Sequence, residues 1–110
     1  MKIAVLLKSG PGTDNAERAL QTALDMLAQG HTVSLFLMQE GVRFCCSDPR
    51  LSKVMNIQKL IGENLDVHVL TQDAQLRGID LTSGGRGFLD GSYDSLISLL
   101  ETCDRVVGIL

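Results

Sequence analysis

Tryptophan is absent from this chain, tyrosine occurs once, and aromatic residues make up only 4% of its 110 positions. So few rings leave little for bases to stack on, and no basic stripe accompanies them, so nucleic acid is not an expected partner. Positive charge is not in excess either: ten lysines and arginines stand against thirteen acids, for a formal net charge of -3. Long apolar runs are missing as well. Ile3–Leu7 is shorter than the roughly 7–15 residues of a signal-peptide core. No run approaches the roughly 20 residues of a membrane span. The expectation is a cytoplasmic protein without a membrane partner. The cysteine count is three, which in that compartment reads as free thiols rather than a disulfide framework.

What is present is enough for a core. Hydrophobic residues are 45% and charged residues 21% of the chain, a balance that excludes wholesale disorder. The length suits a single domain over residues 1–110. Lys2–Leu7 is a largely apolar run, as expected of a strand buried on both faces of a parallel sheet. The turn SGPGTD follows, and Asp14, with Glu17 three residues on, reads as the cap of a helix over Asn15–Gln29. That helix carries Ala16, Leu20, Ala23, Leu24 and Leu27 at helical spacing, and Gly30 stops it. Thr32–Met38 is a second buried strand, completing a βαβ unit.

Further along, Asp48 and Pro49 suit the start of a second helix with Leu51, Val54, Ile57 and Ile61 on its apolar face. Asp66–Leu70 reads as a third strand and Thr71–Arg77 as a short helix stopped by Gly78. Ile79–Asp90 is irregular, with an expected short edge strand and a glycine-rich stretch, Gly84–Gly87, that would present Arg86. Ser92–Cys103 reads as a helix with Tyr93, Leu96, Ile97, Leu100 and Cys103 inward, and Arg105–Leu110 as a final strand. This alternation predicts an α/β fold: a three-layer α/β/α sandwich on a mainly parallel, roughly five-stranded sheet. Ligands of such sheets sit beyond the carboxyl ends of the strands. Lys8–Asp14, Gln39–Asp48 and the turn after Leu70 should reach that edge. Val5, Leu35, Leu37 and Val107 should be fully buried.

The chemistry-bearing stretch is Gln39–Pro49, QEGVRFCCSDP. Its adjacent thiols Cys45 and Cys46 cannot close a normal disulfide with each other. Neighbouring Cα atoms lie about 3.8 Å apart, below the usual range of about 4.4–6.8 Å. Arg43 before them, Arg50 after them and a helix start nearby favour a thiolate, whereas Asp48 opposes it. The other reading makes both thiols small half-buried hydrophobes. Cys103 reads as core. In the first turn, Ser9, Gly10, Gly12 and Thr13 offer a weak anion site through backbone N–H groups, against the plainer reading of a tight turn. Asn15 stands where a third glycine would complete G-x-G-x-x-G, and flavin would lack aromatics to stack on, so no cofactor is expected. His68 reads as a core or interface residue and His31 as a turn residue. Neither has a second ligand at metal spacing, so no metal is expected.

Taken together in order, the small-residue turn and Asp-started helix after the first strand, Glu40–Val42 (EGV), Leu76–Ile79 (LRGI) and Ser92–Leu110 resemble the DsrE/DsrF-like sulfur-relay proteins of the TusD type, over almost the whole length. The resemblance implies the sandwich fold and a sulfurtransferase-like activity carrying sulfane sulfur as a cysteine persulfide. Donor and acceptor would be other sulfur-carrier proteins. Active members of the family carry the persulfide cysteine at the end of the third strand, where this chain has Leu70 and Thr71. On the leading reading Cys46 or Cys45 carries the sulfur instead, with Arg43 and Arg50 stabilising the thiolate. The alternatives are an assembly subunit without thiol chemistry, and a small-anion or nucleotide binder.

The resemblance further implies a homo-oligomer: a dimer, trimer or hexamer. Composition points the same way. Met26, Met55, Leu60 and Leu99 on the helices, with Val42, Phe44, Phe88 and Leu89 in loops, exceed what one apolar stripe per helix can bury. The expected boundary between subunits runs near Gln39–Pro49.

Overall fold

β-branched and aliphatic residues dominate the strands, and the two runs Lys2–Leu7 and Thr32–Leu37 bury both their faces. In a computed structural model of the protein the order is β1 (Lys2–Leu7), α1 (Asp14–Ala28), β2 (Thr32–Leu37), a 3-10 helix (Gln39–Cys45), β3 (Leu65–Leu70), α2 (Thr71–Leu76), β4 (Phe88–Gly91), α3 (Tyr93–Thr102) and β5 (Arg105–Ile109). The described residues are 1–10, 12–45, 64–79 and 88–109. The second predicted helix, the Gly84–Gly87 stretch and the positions Met55, Leu60 and Leu110 lie outside them.

The five strands form one sheet in the order β4-β3-β2-β1-β5, and every pairing is parallel. The chain steps outward from β1 to β4 and then returns to the other side of β1. All strand carboxyl ends therefore share one edge, and the loops after β1 and β2 meet there, as the sequence predicts.

Alternation along the strands builds two cores. Val5 and Leu7 of β1, Val33, Leu35 and Leu37 of β2, and Leu65, Val67 and Val69 of β3 pack on α1 through Ala16, Ala19, Leu20 and Ala23. Three of those four helix residues are alanines, which lets the helix axis approach the sheet closely. On the opposite face Ala4, Leu6, Phe36 and Leu70 pack on Leu99 of α3, with Leu96 and Cys103 beside it. His68 lies on this face. Its ring stacks on Phe36 with centroids 5.9 Å apart, and burial holds its pKa below the ordinary imidazole value.

Several expectations are corrected. The cap of α1 is Thr13, one residue before Asp14, and its hydroxyl accepts from the Ala16 N–H at 3.2 Å. Val5, Leu35 and Leu37 are buried as expected, but Val107 is only half-buried, because β5 is an edge strand. In α3, Tyr93, Ile97 and Leu100 are exposed rather than inward, and the residue against the sheet is Leu99. Val42 and Leu99, expected on an exposed patch, are buried, and Met26 packs half-buried against the core. Leu89 of that group is exposed.

Leu35, 2% exposed at the middle of β2, has strands on both sides and α1 beneath it. Leu35→Ala should lower unfolding free energy by about 2–5 kcal/mol through lost burial and a residual cavity. Urea denaturation measures this. A loss well under about 1 kcal/mol, below the range for such a truncation, contradicts the placement.

Candidate functional site

The carboxyl edge of β1, β2 and β3 is where side-chain chemistry collects. After β2 the chain turns sharply at Gln39, whose φ is +50, in the left-handed region that non-glycine residues rarely adopt. It then winds into the 3-10 helix Gln39–Cys45, a regular turn where the sequence predicts only a loop. Gly41 sits hard against β1. A Cβ there would run into the Leu7 carbonyl oxygen, and the Gly41 N–H donates to Lys8 O at 3.2 Å and to Met38 O at 2.9 Å. Glycine is required by this close approach rather than by its own dihedral angles. Val42 follows, fully buried in the α1-side core.

Two polar links fasten the 3-10 helix to α2. The Asp73 carboxylate, 8% exposed, accepts from the Gln39 N–H at 2.6 Å. That bond satisfies both a buried charge and a strained turn. Arg77 donates from Nε to Glu40 Oε1 at 2.9 Å and from a terminal nitrogen to Asp73 O at 3.2 Å. Arg43 pairs with the second Glu40 oxygen. Hydrogen bonds from Arg43 and then Arg77 hold the Glu40 carboxyl below its usual pKa. Glu40 and the surrounding guanidiniums thus form a mutually compensated cluster, in which Arg43 is engaged with a carboxylate. Asp73 and Arg77 escaped the sequence reading. Their partners are 34 and 37 residues away, so no local pattern marks them.

The 3-10 helix ends at Cys45, which places its backbone on the carboxyl edge. The Cys45 side chain, Cys46 and Arg50 lie outside the described residues. Cys103, the remaining thiol, is half-buried under α3, and burial pushes its pKa up. It is a poor thiolate.

In the first turn, the Thr13 hydroxyl donates to Gly10 O at 2.8 Å while accepting from Ala16 N–H. Gly12 has φ +85, and Gly10 packs near Glu40. The Thr13 oxygen is thus committed within the turn and helix cap. Of the turn residues Ser9, Gly10, Gly12 and Thr13, Gly10 is the one that lies against the 3-10 helix, beside Glu40.

At the carboxyl end of β3, Leu70 is 1% exposed and Thr71 opens α2. Thr71 lines an open cleft of about 400 Å³ with Gln72, Gln75, Gly91, Ser92, Tyr93 and Asp94. Gly91 forms its floor, and a Cβ there would come within 3.0 Å of Phe36 and of the Val69 carbonyl oxygen. Ser92 caps α3 in a reciprocal box with Ser95. The cleft is walled by hydroxyls, amides and one carboxylate, with no thiol among these residues. The turn after Leu70 reaches this edge as the sequence predicts, but no local pattern brings Ser92 to it, because α2 and the start of α3 are far apart in the chain.

The family model of the DsrE/DsrF-like family matches residues 1–108. An uncharacterized protein of Methanocaldococcus jannaschii is 30% identical, with 97% of this chain and 98% of the relative covered. The crystal structure of the YchN protein from E. coli superimposes with a TM-score of 0.79 at 18% identity, covering 99% of this chain and 97% of that one. That likeness speaks to the fold alone.

The Asp73 link generates a test. Asp73→Ala leaves the Gln39 N–H unpaired and frees a strained turn, and should cost about 1.5–3 kcal/mol, the range for a hydrogen bond to a charged group. Chemical denaturation reads the cost. A change below about 0.5 kcal/mol, under even a neutral bond's contribution, shows that Asp73 does not hold the 3-10 helix.

Proposed function

This chain belongs to the DsrE/DsrF-like family, and from that premise we propose that it carries sulfane sulfur as a persulfide on Cys45 or Cys46 and passes it between sulfur-carrier proteins in the cytoplasm. Family membership supports a sulfur-relay-related role. The observation that carries the thiol assignment is the clamped 3-10 helix. The Gly41 contact, the Asp73 bond and the Glu40–Arg77 pair hold a short rigid element on the sheet's carboxyl edge, and its last residue is Cys45. Such an edge is where ligands of parallel sheets bind.

The chemistry is two exchanges. The Cys45 or Cys46 thiolate attacks the outer sulfur of a donor persulfide, R–S–SH. A new S–S bond forms on this chain, the donor's S–S bond breaks, and the donor leaves as a thiolate. The terminal sulfur keeps its proton. An acceptor thiolate then attacks that terminal sulfur, and the chain's thiolate is restored. No net oxidation occurs, and each step depends on the attacking thiol being ionised. Arg43 and Arg50 are the proposed cations, although the Arg43 charge is shared with Glu40.

A second reading has its own support. Thr71 stands at the end of β3, where the family resemblance places the reactive cysteine, and its cleft contains no thiol among the lining residues. On that reading the chain is an assembly subunit without thiol chemistry. Intact-mass spectrometry after incubation with inorganic polysulfide separates the two. We expect a gain of one sulfur atom that disappears in Cys45→Ser or Cys46→Ser and persists in Cys103→Ser. No gain in the wild type selects the assembly subunit.

We also propose that the chain forms a homo-oligomer with the Gln39–Pro49 segment near the boundary. Supporting this are the resemblance to assembling DsrE/DsrF-like proteins and the position of the 3-10 helix on an edge of the sheet. Light scattering after size-exclusion chromatography should give a mass above the 11.9 kDa of one chain, reduced by Phe44→Asp. A single species at the monomer mass rejects the proposal.

A further inference from the structure

The exposed apolar surface of the described residues concentrates on α3 and the sheet face beneath it. Tyr93 is 54% exposed, Ile97 54% and Leu100 37%. At 3.6 residues per turn these three fall on one flank of the helix, roughly a quarter-turn from Leu96, Leu99 and Cys103, which face the core. Among the described residues, a two-turn apolar stripe is thus left without an intramolecular partner. Tyr93 also lines the cleft at the ends of β3 and β4, so stripe and cleft are continuous. Parallel register puts Leu89 beside His68 and Val106 beside Ala4, on the sheet face that α3 covers. Both are also exposed.

Charge decides what this stripe accepts. Asp94 and Glu101, both exposed, sit two turns apart on the same rim of the stripe, and α3 contains no basic residue. Among the described residues neither acid has a basic ion-pair partner. Among the described residues, Lys2 and Arg105 stand near the C-terminal end of the helix, where the Lys2 backbone N–H donates to the Asp104 carboxylate at 2.8 Å. An antiparallel pairing of α3 with α3 of a second copy about Ile97 would bring Asp94 of each chain opposite Glu101 of the other. Like charges facing each other across a helix pair are unfavourable. A partner with Lys or Arg in those places would instead gain complementary pairs.

We propose that the Tyr93–Ile97–Leu100 flank of α3 is the docking surface for a partner protein's amphipathic helix, apolar on one face and flanked by lysine or arginine. The stripe supplies apolar anchors at i, i+4 and i+7, the spacing of a helix-in-groove contact. The acidic rim sets register and excludes acidic partners. This surface is independent of the thiol assignment.

The test uses the full chain and two fluorescein-labelled synthetic helical peptides with identical leucines at i, i+4 and i+7. One carries lysines on both flanks and the other glutamates. Fluorescence anisotropy should show the lysine peptide binding about tenfold or more tightly than the glutamate peptide, with added salt narrowing the gap. The double variant Asp94→Lys with Glu101→Lys should invert the preference. Ile97→Ser should abolish binding while leaving the thermal midpoint near that of the wild type, since Ile97 is exposed. Equal binding of the two peptides, or binding of neither, overturns the proposal. So does a wild-type oligomer that Ile97→Ser converts to monomers, which would assign the stripe to a second copy.

Discussion

The bond between the Asp73 carboxylate and the Gln39 N–H organises the carboxyl edge of this molecule. A carboxylate this buried is costly unless hydrogen-bonded, and a non-glycine residue in the left-handed region is strained by about a kilocalorie per mole or more. Each defect is tolerable because the other is present. The pairing fixes where the chain leaves β2, and so where the 3-10 helix, Glu40 and finally Cys45 stand. Gly41 enforces the same path from the β1 side, since no larger residue fits against the Leu7 carbonyl. Without these two contacts the segment after β2 would be an ordinary surface loop, and the backbone at Cys45 would have no defined position.

Local pattern made the scaffold readable. The apolar runs Lys2–Leu7 and Thr32–Leu37 could be strands buried on both faces and little else, and the helix between them makes their pairing parallel. In the helix over residues 93–102, Leu96 and Cys103 face the sheet as the sequence predicts, whereas Tyr93, Ile97 and Leu100 do not, for an identifiable reason. It has two apolar flanks, Tyr93–Ile97–Leu100 and Leu96–Leu99–Cys103, and a helical wheel cannot say which meets the sheet. Only the position of the sheet decides. The cap of α1 shifted by one residue because Thr13 and Asp14 both suit that role, and the backbone settled on the threonine hydroxyl.

The candidate site was less legible. Cys45 and Cys46 are conspicuous in the sequence, but the elements that position the 3-10 helix come from β1 and α2, far along the chain. Thr71 and Ser92 meet only because β3 and β4 are neighbours. Arg43, singled out as a stabiliser of a thiolate, has a carboxylate of its own. That leaves the electrostatics near the thiols more balanced than spacing suggested, because the cation closest in sequence is already compensated by Glu40.

The strand order has a consequence for how the chain reaches this state. β1 lies inside the sheet between β2 and β5, yet β5 follows it by about a hundred residues. The β1–β2 ladder can form early from neighbouring segments, whereas the second edge of β1 stays open until β5 arrives. Closing so distant a pairing is slow compared with local contacts, and an unpaired apolar strand edge is a template for joining another chain. The interval between synthesis of β1 and docking of β5 is therefore the stretch of this protein's life in which aggregation competes most directly with folding. Crowded nascent chains, rather than the finished molecule, are where that competition is decided.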